Sequence, residues 1–381
     1  MKGHVRKRGN KWSFVIDIGR DESTGKRRQK RFSGYNTKKE AEKALAQKIN
    51  ELNTGQFVDA TKETIDEYLS TWLEDKKTQV RPGTWKSYRW LVNRVVEHIG
   101  KVKLADLKPQ HLQRLYNKLQ TGAKPLSARS VLHAHLIIQE ALDRAIKWGM
   151  VHRNVAEAVD APRPKKVEMC VWDAEEVRKF LEVAKEDRYY IAFLLAITTG
   201  MRKGEILGLR WKDIDFEKNT LSVRQTFARA EKGHDFQEPK SSSGLRSIAL
   251  PPGTMEALRM HKVQQSKEKL KAGSLYQDTG MVVATSVGTP VLSRNLDRTW
   301  FKLMKKAEVS KIRFHDLRHT HATLMLKNGV HPKIVSERLG HSNISITLDT
   351  YSHVLPGLQE AAARQFDESL FGTQKDAEST L

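Results

Sequence analysis

The sequence lacks the features that define several large classes of protein. No apolar run approaches the roughly 20 residues that a membrane-spanning helix needs. Basic residues at the start have no apolar stretch behind them, so no secretory signal is predicted and the protein is expected to stay inside the cell. The single cysteine, Cys170, cannot form an intramolecular disulfide and has no companion at zinc-ligand spacing. We interpret it as a buried or partly buried apolar residue.

Motifs for cofactor chemistry are also missing. The sequence has no glycine-rich nucleotide-binding loop, no zinc-ligand pattern and no acidic metal-binding cluster. We therefore expect neither a metal nor any other cofactor, and catalysis has to come from the side chains of the chain itself. With 381 residues, 39% of them hydrophobic, the chain is long enough for two or three folded domains.

A large excess of positive charge is present, amounting to +22 at pH 7. Residues 1–58 hold 15 Lys and Arg against 6 Asp and Glu, residues 59–167 hold 20 against 12, and residues 168–381 hold 32 against 27. A surface this basic attracts polyanions, which favours two DNA-gripping regions ahead of a more balanced chemical domain. The alternative is a basic surface that serves solubility alone.

The first 58 residues are predicted to form a small sheet followed by a helix. Apolar and polar residues alternate from Trp12 to Ile18, which is typical of a strand with one buried face, and residues 26–32 form a second, basic strand. Thr37 and Glu40 have the spacing of a capping box, which predicts a helix to about residue 50. Such a strand pair fits the major groove of DNA, although a charged edge that prevents aggregation is the alternative. The candidate DNA contacts in this strand are Arg27, Arg28, Lys30 and Arg31.

Residues 59–160 are predicted to form a helical domain. Thr64 and Glu67 again have capping-box spacing, and four stretches with apolar residues at helical spacing follow. We interpret the aromatic residues of these stretches as core and not as a base-stacking surface. The prolines of residues 161–167 break any helix, so this basic segment is interpreted as an interdomain linker. The candidate DNA contacts in the helical domain are Lys86 and Arg129.

Four sites in the remaining part of the chain carry the informative motifs. They are Thr198–Ile206, Glu238–Arg246, His315–Thr320, and the pair formed by Leu339–His341 and Thr350–His353. In this order they match the tyrosine recombinase family, which has an arginine in T-G-x-R-x-x-E, a lysine in a β-hairpin, H-x-x-R, L-G-H and a later tyrosine. Each motif alone is weak, but their conjunction is specific. The chain therefore resembles this family, strongly over residues 168–360 and more loosely before them.

Two arginines are expected to bind the reacting phosphate. Planar guanidinium groups form paired, charge-assisted hydrogen bonds with phosphate oxygens, so the resemblance assigns Arg202 and Arg318 to a clamp. Glu205, three residues after Arg202, also allows a plain ion pair. In the family the matching glutamate helps to hold the active site, and the two roles are compatible.

Two histidines are expected beside the clamp. His315 and Arg318 lie three residues apart on a predicted helix and share one face. The resemblance makes His315 a phosphate contact or a general base for Tyr351, and it makes His341 a second hydrogen bond to the phosphate. The residues alone equally allow histidines that cap helices.

Tyr351 is the nucleophile that the resemblance implies. A free phenol has a pKa of about 10, so a base and the arginine charges have to activate it. Its attack leaves a phosphotyrosine that stores the energy of the broken bond, and no ATP is needed. Lys240 is the predicted acid for the leaving 5′ oxygen, with Lys232 as a less favoured substitute. A buried structural tyrosine and a solvated turn lysine are the alternatives.

The resemblance also implies a multidomain α+β architecture. It comprises a sheet-plus-helix arm-binding domain at 1–58, a helical, SAM-like core-binding domain at 59–160, the linker, a mainly helical catalytic domain with a small sheet at 168–357, and a tail at 358–381. In the tail, Leu358, Ala362, Phe366 and Leu370 recur every four residues, and this stripe is expected to contact a neighbouring subunit.

The implied function is site-specific recombination that integrates and excises a prophage or mobile element. A homotetramer on double-stranded DNA, with core sites and arm sites, would cut through a 3′-phosphotyrosine and pass through a Holliday junction. Accessory directionality or DNA-bending proteins and a place in the bacterial cytoplasm are also implied. A type IB topoisomerase and a DNA-binding regulator are the alternatives, the latter because residues 334–342 resemble a helix-turn-helix.

Overall fold

The computed structural model describes residues 4–20, 25–53, 62–165, 169–229, 233–239, 242–351 and 358–371. The chain divides into two compact units, Met1–Lys166 and Val167–Leu381. Both units contain helices and antiparallel sheet, and the predicted multidomain α+β class is confirmed. Among the described helices, none combines the length and the apolar character that crossing a membrane requires.

The first unit begins with a three-stranded antiparallel sheet in the order β1-β2-β3. Its strands are β1 (His4–Arg8), β2 (Lys11–Arg20) and β3 (Arg27–Tyr35), and α1 (Lys38–Asn53) packs against them. The two predicted strands and the helix are confirmed. Strand β1 was not predicted, because this segment has a single apolar residue and therefore no alternating pattern.

Four helices complete the first unit, as predicted. They are α2 (Ile65–Lys77), α3 (Pro82–Ile99), α4 (Pro109–Thr121) and α5 (Ala128–Lys147). The capping box of Thr64 and Glu67 forms at the start of α2. Most aromatic residues of the predicted stripes are buried, namely Tyr68, Trp72, Trp85 and Tyr116. Trp90 on α3 and Trp148, which follows α5, are exposed, so the prediction of a core position is wrong for these two side chains.

The described part of the second unit is mainly helical. Its helices are α6 (Ala174–Ala184), α7 (Tyr190–Thr199), α8 (Lys203–Leu207), α9 (Pro252–Ala272), α10 (Ser293–Lys306), α11 (Asp316–Lys327), α12 (Pro332–Leu339), α13 (Ile344–Tyr351) and α14 (Leu358–Phe371). The core surrounds α7, which is buried along almost its whole length. The rings of Trp172, Phe180 and Trp300 pack against one another in tilted arrangements in the same core.

Short strands lie between α8 and α9 in the sequence. β4 (Ile214–Asp215), β5 (Thr220–Val223) and β8 (Arg246–Ala249) form one antiparallel sheet, and β6 (Thr226–Arg229) pairs with β7 (His234–Gln237) in a hairpin. Lys240 and Lys232 lie outside the described residues.

The interpretation of Cys170 as a buried or partly buried residue is wrong, because its side chain is exposed. It lies before α6 in a segment without secondary structure, where Trp172 fills the core instead. An exposed position next to a buried tryptophan is not visible in the local pattern.

Candidate active site

Two helix ends meet at the side chain of Arg318. The helices α7 and α12 end at Gly200 and Gly340, with φ of 66° and 68°, in the left-handed region that favours glycine. Arg318 Nη1 donates to the carbonyl oxygen of Gly200 at 2.8 Å, and its Nη2 donates to that of Leu339 at 2.7 Å. Each of these nitrogens carries a second hydrogen. The guanidinium is therefore fixed by the backbone and keeps donors for a ligand in the cleft that it lines.

A second arginine is fixed by a buried carboxylate. Arg202 precedes α8, and its Nη1 donates to Glu205 Oε1 at 2.8 Å. From β8, Arg246 Nη2 donates to Glu205 Oε2 at 2.8 Å, and Arg246 Nε donates to the carbonyl oxygen of Arg338 at 2.8 Å. Burial alone would raise the pKa of Glu205, but the hydrogen bonds and charges of Arg246 and Arg202 outweigh it and lower this pKa. The carboxylate thus remains ionised and orients both guanidinium groups.

One cleft of the second unit brings together most of the predicted catalytic residues. Its lining includes Arg202, His315, Arg318, His319, His341 and Tyr351. Five of the six predicted residues are in this set, and the sixth, Lys240, lies outside the described residues. No group of three or more His, Cys, Asp or Glu with metal-binding geometry occurs among the residues that the structure describes. The two arginines make this cleft positively charged, and it can therefore bind an anionic ester such as a phosphodiester.

The two predicted histidines occupy different places in the cleft. His315 is an exposed residue at the N-cap of α11, and within the described residues its side chain makes no capping hydrogen bond. His341 follows the glycine that ends α12, and its Nδ1 lies 2.8 Å from Thr347 Oγ1. Burial and the charges of Arg318 and Arg202 lower the pKa of His341 to about 4, so its imidazole is neutral. Neither side chain acts as the helix cap that the sequence allowed.

Tyr351 is the last residue of α13, and only 1% of it is exposed. Its ring packs with Ala322, Val335 and Leu339, whereas its hydroxyl reaches the cleft, where Oη lies 2.8 Å from His319 Nδ1. Burial raises the pKa of the phenol to about 12, and the charge of Arg318 opposes that rise. The resting hydroxyl is therefore protonated, and it needs a proton acceptor before it can attack.

Two side chains of this region had no role in the sequence analysis. His319 contacts the Tyr351 hydroxyl, and Arg246 completes the ion pair with Glu205. Both residues lie inside the stretches that carry the motifs, so the sequence pointed to this region of the chain. It could not predict their contacts, because Tyr351 is 32 residues from His319 and Glu205 is 41 residues from Arg246.

The predicted DNA contacts of β3 lie on two sides of the sheet. Directly paired residues of an antiparallel sheet share a face. Lys30 pairs with the buried Ile16, so it lies on the α1 side, where its ammonium is 5.9 Å from the centre of the Phe32 ring. Arg31 pairs with Val15 and is exposed on the opposite face.

The remaining candidate contacts are at the surface or half-buried. Arg27 is exposed and forms an ion pair with Asp17 at 3.1 Å. Arg28 is exposed beside it. In the helical part, Arg129 on α5 is exposed and Lys86 on α3 is half-buried. Arg27, Arg28, Arg31 and Arg129 are thus exposed at the surface, where a polyanion can reach them.

Three family profiles match consecutive parts of the chain. The phage integrase family matches residues 171–357, an arm DNA-binding domain matches residues 4–52, and the N-terminal SAM-like domain of phage integrases matches residues 64–120. A XerC-like tyrosine recombinase of Caldanaerobacter subterraneus is 34% identical and covers 91% of this chain and 93% of its own length. The ICEBs1 integrase of Bacillus subtilis is 23% identical, with 93% of this chain and 96% of its own length covered.

Solved structures of integrases are similar in fold. The Tn1549 transposon integrase in complex with a circular intermediate DNA superimposes with a TM-score of 0.68 at 20% identity, over 80% of this chain and 99% of that one. A lambda integrase tetramer bound to a Holliday junction gives a TM-score of 0.54 at 20% identity, over 89% of this chain and 95% of that one.

Proposed function

Because the chain belongs to the phage integrase family of tyrosine recombinases, which cleave and rejoin DNA, we propose that Tyr351 attacks a DNA phosphodiester held in the cleft around Arg318. The family resemblance of the motifs is confirmed by these matches. The chain is an enzyme of site-specific DNA recombination.

The observation that carries the proposal is the convergence of two arginines and one tyrosine. Two backbone carbonyls hold the guanidinium of Arg318, and a buried carboxylate holds that of Arg202. Both guanidinium groups are therefore oriented before a substrate binds. Preorganised donors stabilise charge that develops in a transition state without further reorganisation. The Tyr351 hydroxyl reaches the same cleft. His315 and His341 add hydrogen bonds to the phosphate, and Lys240 protonates the leaving 5′ oxygen.

We assign the parts before the active site to DNA binding. Residues 1–58 serve as an arm-type domain, residues 59–160 as a core-binding domain, 161–167 as the linker, and 168–357 as the catalytic domain. Support comes from the profile matches at 4–52 and 64–120 and from the exposed Arg31 on the open face of the sheet. Lys86 and Arg129 are the corresponding candidates in the helical domain.

The assembly follows from the same chemistry. A homotetramer brings two double-stranded sites together, exchanges strands through a 3′-phosphotyrosine and a Holliday junction, and so integrates or excises a mobile element or prophage. The solved relatives include a tetramer on such a junction. The tail at 358–381 contacts the neighbouring subunit; Phe366 and Leu370 are exposed on α14 and available for this. Directionality or DNA-bending proteins assist, and the reaction takes place in the bacterial cytoplasm.

A covalent trapping experiment tests the proposal. The full-length protein is incubated with site DNA that carries a nick next to the scissile phosphate, so that the cleaved fragment diffuses away and the adduct accumulates. We expect a covalent complex that Tyr351→Phe abolishes and that Tyr190→Phe, at a half-buried tyrosine of α7, retains. Equal retention of DNA by wild type and Tyr351→Phe would refute the nucleophile and support a regulator. Relaxation of plasmids that lack any specific site would favour a topoisomerase.

Sequencing the DNA that is covalently attached to Tyr351 in cells would identify the recombination sites. The readout also separates the two functions of the enzyme, because integration and excision leave different flanking sequences. A protein without activity would yield no adducts above those of Tyr351→Phe.

A further inference from the structure

Deprotonation of the nucleophile needs a base in contact with the phenol, and the contact in this structure is His319. Nδ1 of His319 lies 2.8 Å from Oη of Tyr351, within the range of a good hydrogen bond. His315, which the family resemblance nominates, is exposed at the N-cap of α11, and its ring lies edge-on to the His319 ring at 5.4 Å between centroids. Among the described residues, the hydrogen bond of the Tyr351 hydroxyl is to His319.

The surroundings of His319 keep its imidazole able to accept a proton. Burial and the nearby His315 lower the pKa of His319 to about 4, with Arg318 and Arg313 acting in the same direction and Asp316 opposing them. The ring is therefore neutral at physiological pH, and a neutral imidazole has one acceptor nitrogen. In the tautomer with the hydrogen on Nε2, Nδ1 accepts the hydrogen bond of the protonated phenol, and this is the tautomer that a base requires.

Binding of the substrate phosphate raises the pKa of His319, which makes it a stronger base. A phosphodiester between Arg202 and Arg318 brings negative charge next to the imidazole, and a nearby opposite charge favours the protonated form of a histidine. The same arginines stabilise the negative charge on the attacked phosphate. The phenol ring is held by packing against α11 and α12, so its hydroxyl keeps contact with His319 as the phosphate arrives.

We propose that His319 is a further catalytic residue, the general base that takes the phenolic proton of Tyr351 during DNA cleavage. The inference rests on the proposed function. In the forward step the Tyr351 O–H bond breaks and its proton moves to His319 Nδ1. The Oη–P bond forms, the P–O5′ bond breaks, and the leaving oxygen takes a proton from Lys240. In rejoining, the 5′ hydroxyl gives its proton back to Lys240 as the P–O5′ bond forms, the Oη–P bond breaks, and protonated His319 returns its proton to the departing phenolate.

A pair of substitutions separates a base from a residue that only positions the phenol. In His319→Asn, the amide oxygen can take the place of Nδ1 and accept the phenolic hydrogen bond, but it cannot accept the proton. We expect single-turnover adduct formation to fall by about 10²- to 10⁴-fold, the usual contribution of a general base. In His319→Ala, added imidazole should restore cleavage, with rates that rise with the pKa of substituted imidazoles. Binding of site DNA by both variants, measured by gel shift, verifies that they are folded.

A change of the leaving group distinguishes the base from the acid. With sulfur in place of the bridging 5′ oxygen, a thiolate of pKa about 8.5 leaves without protonation. This substrate should rescue Lys240→Ala and should leave the defect of His319→Asn unchanged.

The outcomes separate the inference from the proposed function. Cleavage by His319→Asn within about threefold of wild type would show that the hydrogen bond is sufficient, and it would overturn the role as a base. Rescue of His319→Asn by the sulfur substrate would also overturn it, because the residue would then act on the leaving group. The absence of an adduct with the wild-type protein would instead refute the proposed function.

Discussion

Replacing Glu205 with glutamine removes the negative charge on which two arginines converge. The carboxylate is 2% exposed and the Arg246 side chain 6%, with 2.8 Å between them, while the Arg202 side chain is 43% exposed. The amide keeps the shape of the carboxylate but turns an NH₂ group toward cations. Removing one partner of a buried ion pair costs about 3–5 kcal/mol. Because water can rehydrate the half-exposed Arg202, we expect Glu205→Gln to lower the free energy of unfolding by about 3 kcal/mol.

Thermal unfolding of the full-length protein measures this loss. For a unit of this size, 1 kcal/mol corresponds to roughly 2–4 °C, so the transition of the catalytic unit should fall by about 6–12 °C. The matched control is Glu182→Gln, whose ion pair with Lys185 lies in solvent and should contribute less than about 1 kcal/mol. Combining Glu205→Gln with Arg246→Gln should cost less than the sum of the single changes, since the uncompensated charge disappears. A melting temperature for Glu205→Gln equal to that of the control would refute the reasoning.

Three further substitutions test a glycine, an arginine and a buried histidine of the catalytic unit. Gly200→Ala should lower the melting temperature, because φ is +66° and the new Cβ would lie 2.6 Å from Leu339 Cδ2; Gly253→Ala, with open space around it, should not. Arg318→Lys keeps the positive charge but loses the planar guanidinium that forms paired hydrogen bonds with phosphate oxygens. Single-turnover cleavage should therefore fall at least about 100-fold, with little change in DNA binding measured by gel shift. Burial lowers the pKa of His321 from 6.5 to about 4, so between these values the unfolded chain binds a proton that the folded chain excludes. The free energy of unfolding should therefore decrease as the pH falls from 6.5 to 4, by about 3 kcal/mol, and His321→Asn should weaken this dependence in urea titrations; an unchanged slope would contradict it.

The helical elements were predictable because their signals are local. The capping box of Thr64 and Glu67 and the apolar spacing after it mark α2 within a few neighbouring residues, and the same is true of α6. The strand β1 was not predictable in this way. Its partner β2 supplies the buried face, so the segment needs no apolar alternation of its own. The exposed Cys170 likewise depends on how its neighbour Trp172 enters the core.

The sequence by itself determined the residue types and the order of the motifs, and through them the family and its chemistry. Those motifs are short and continuous, and the chemistry of a guanidinium, an imidazole or a phenol does not depend on the fold. Only the tertiary structure decided which groups touch: the backbone carbonyls on Arg318, the second arginine on Glu205, and His319 in place of His315 at the Tyr351 hydroxyl. Such contacts join residues far apart in the chain, and they exist only where separate helices end against each other.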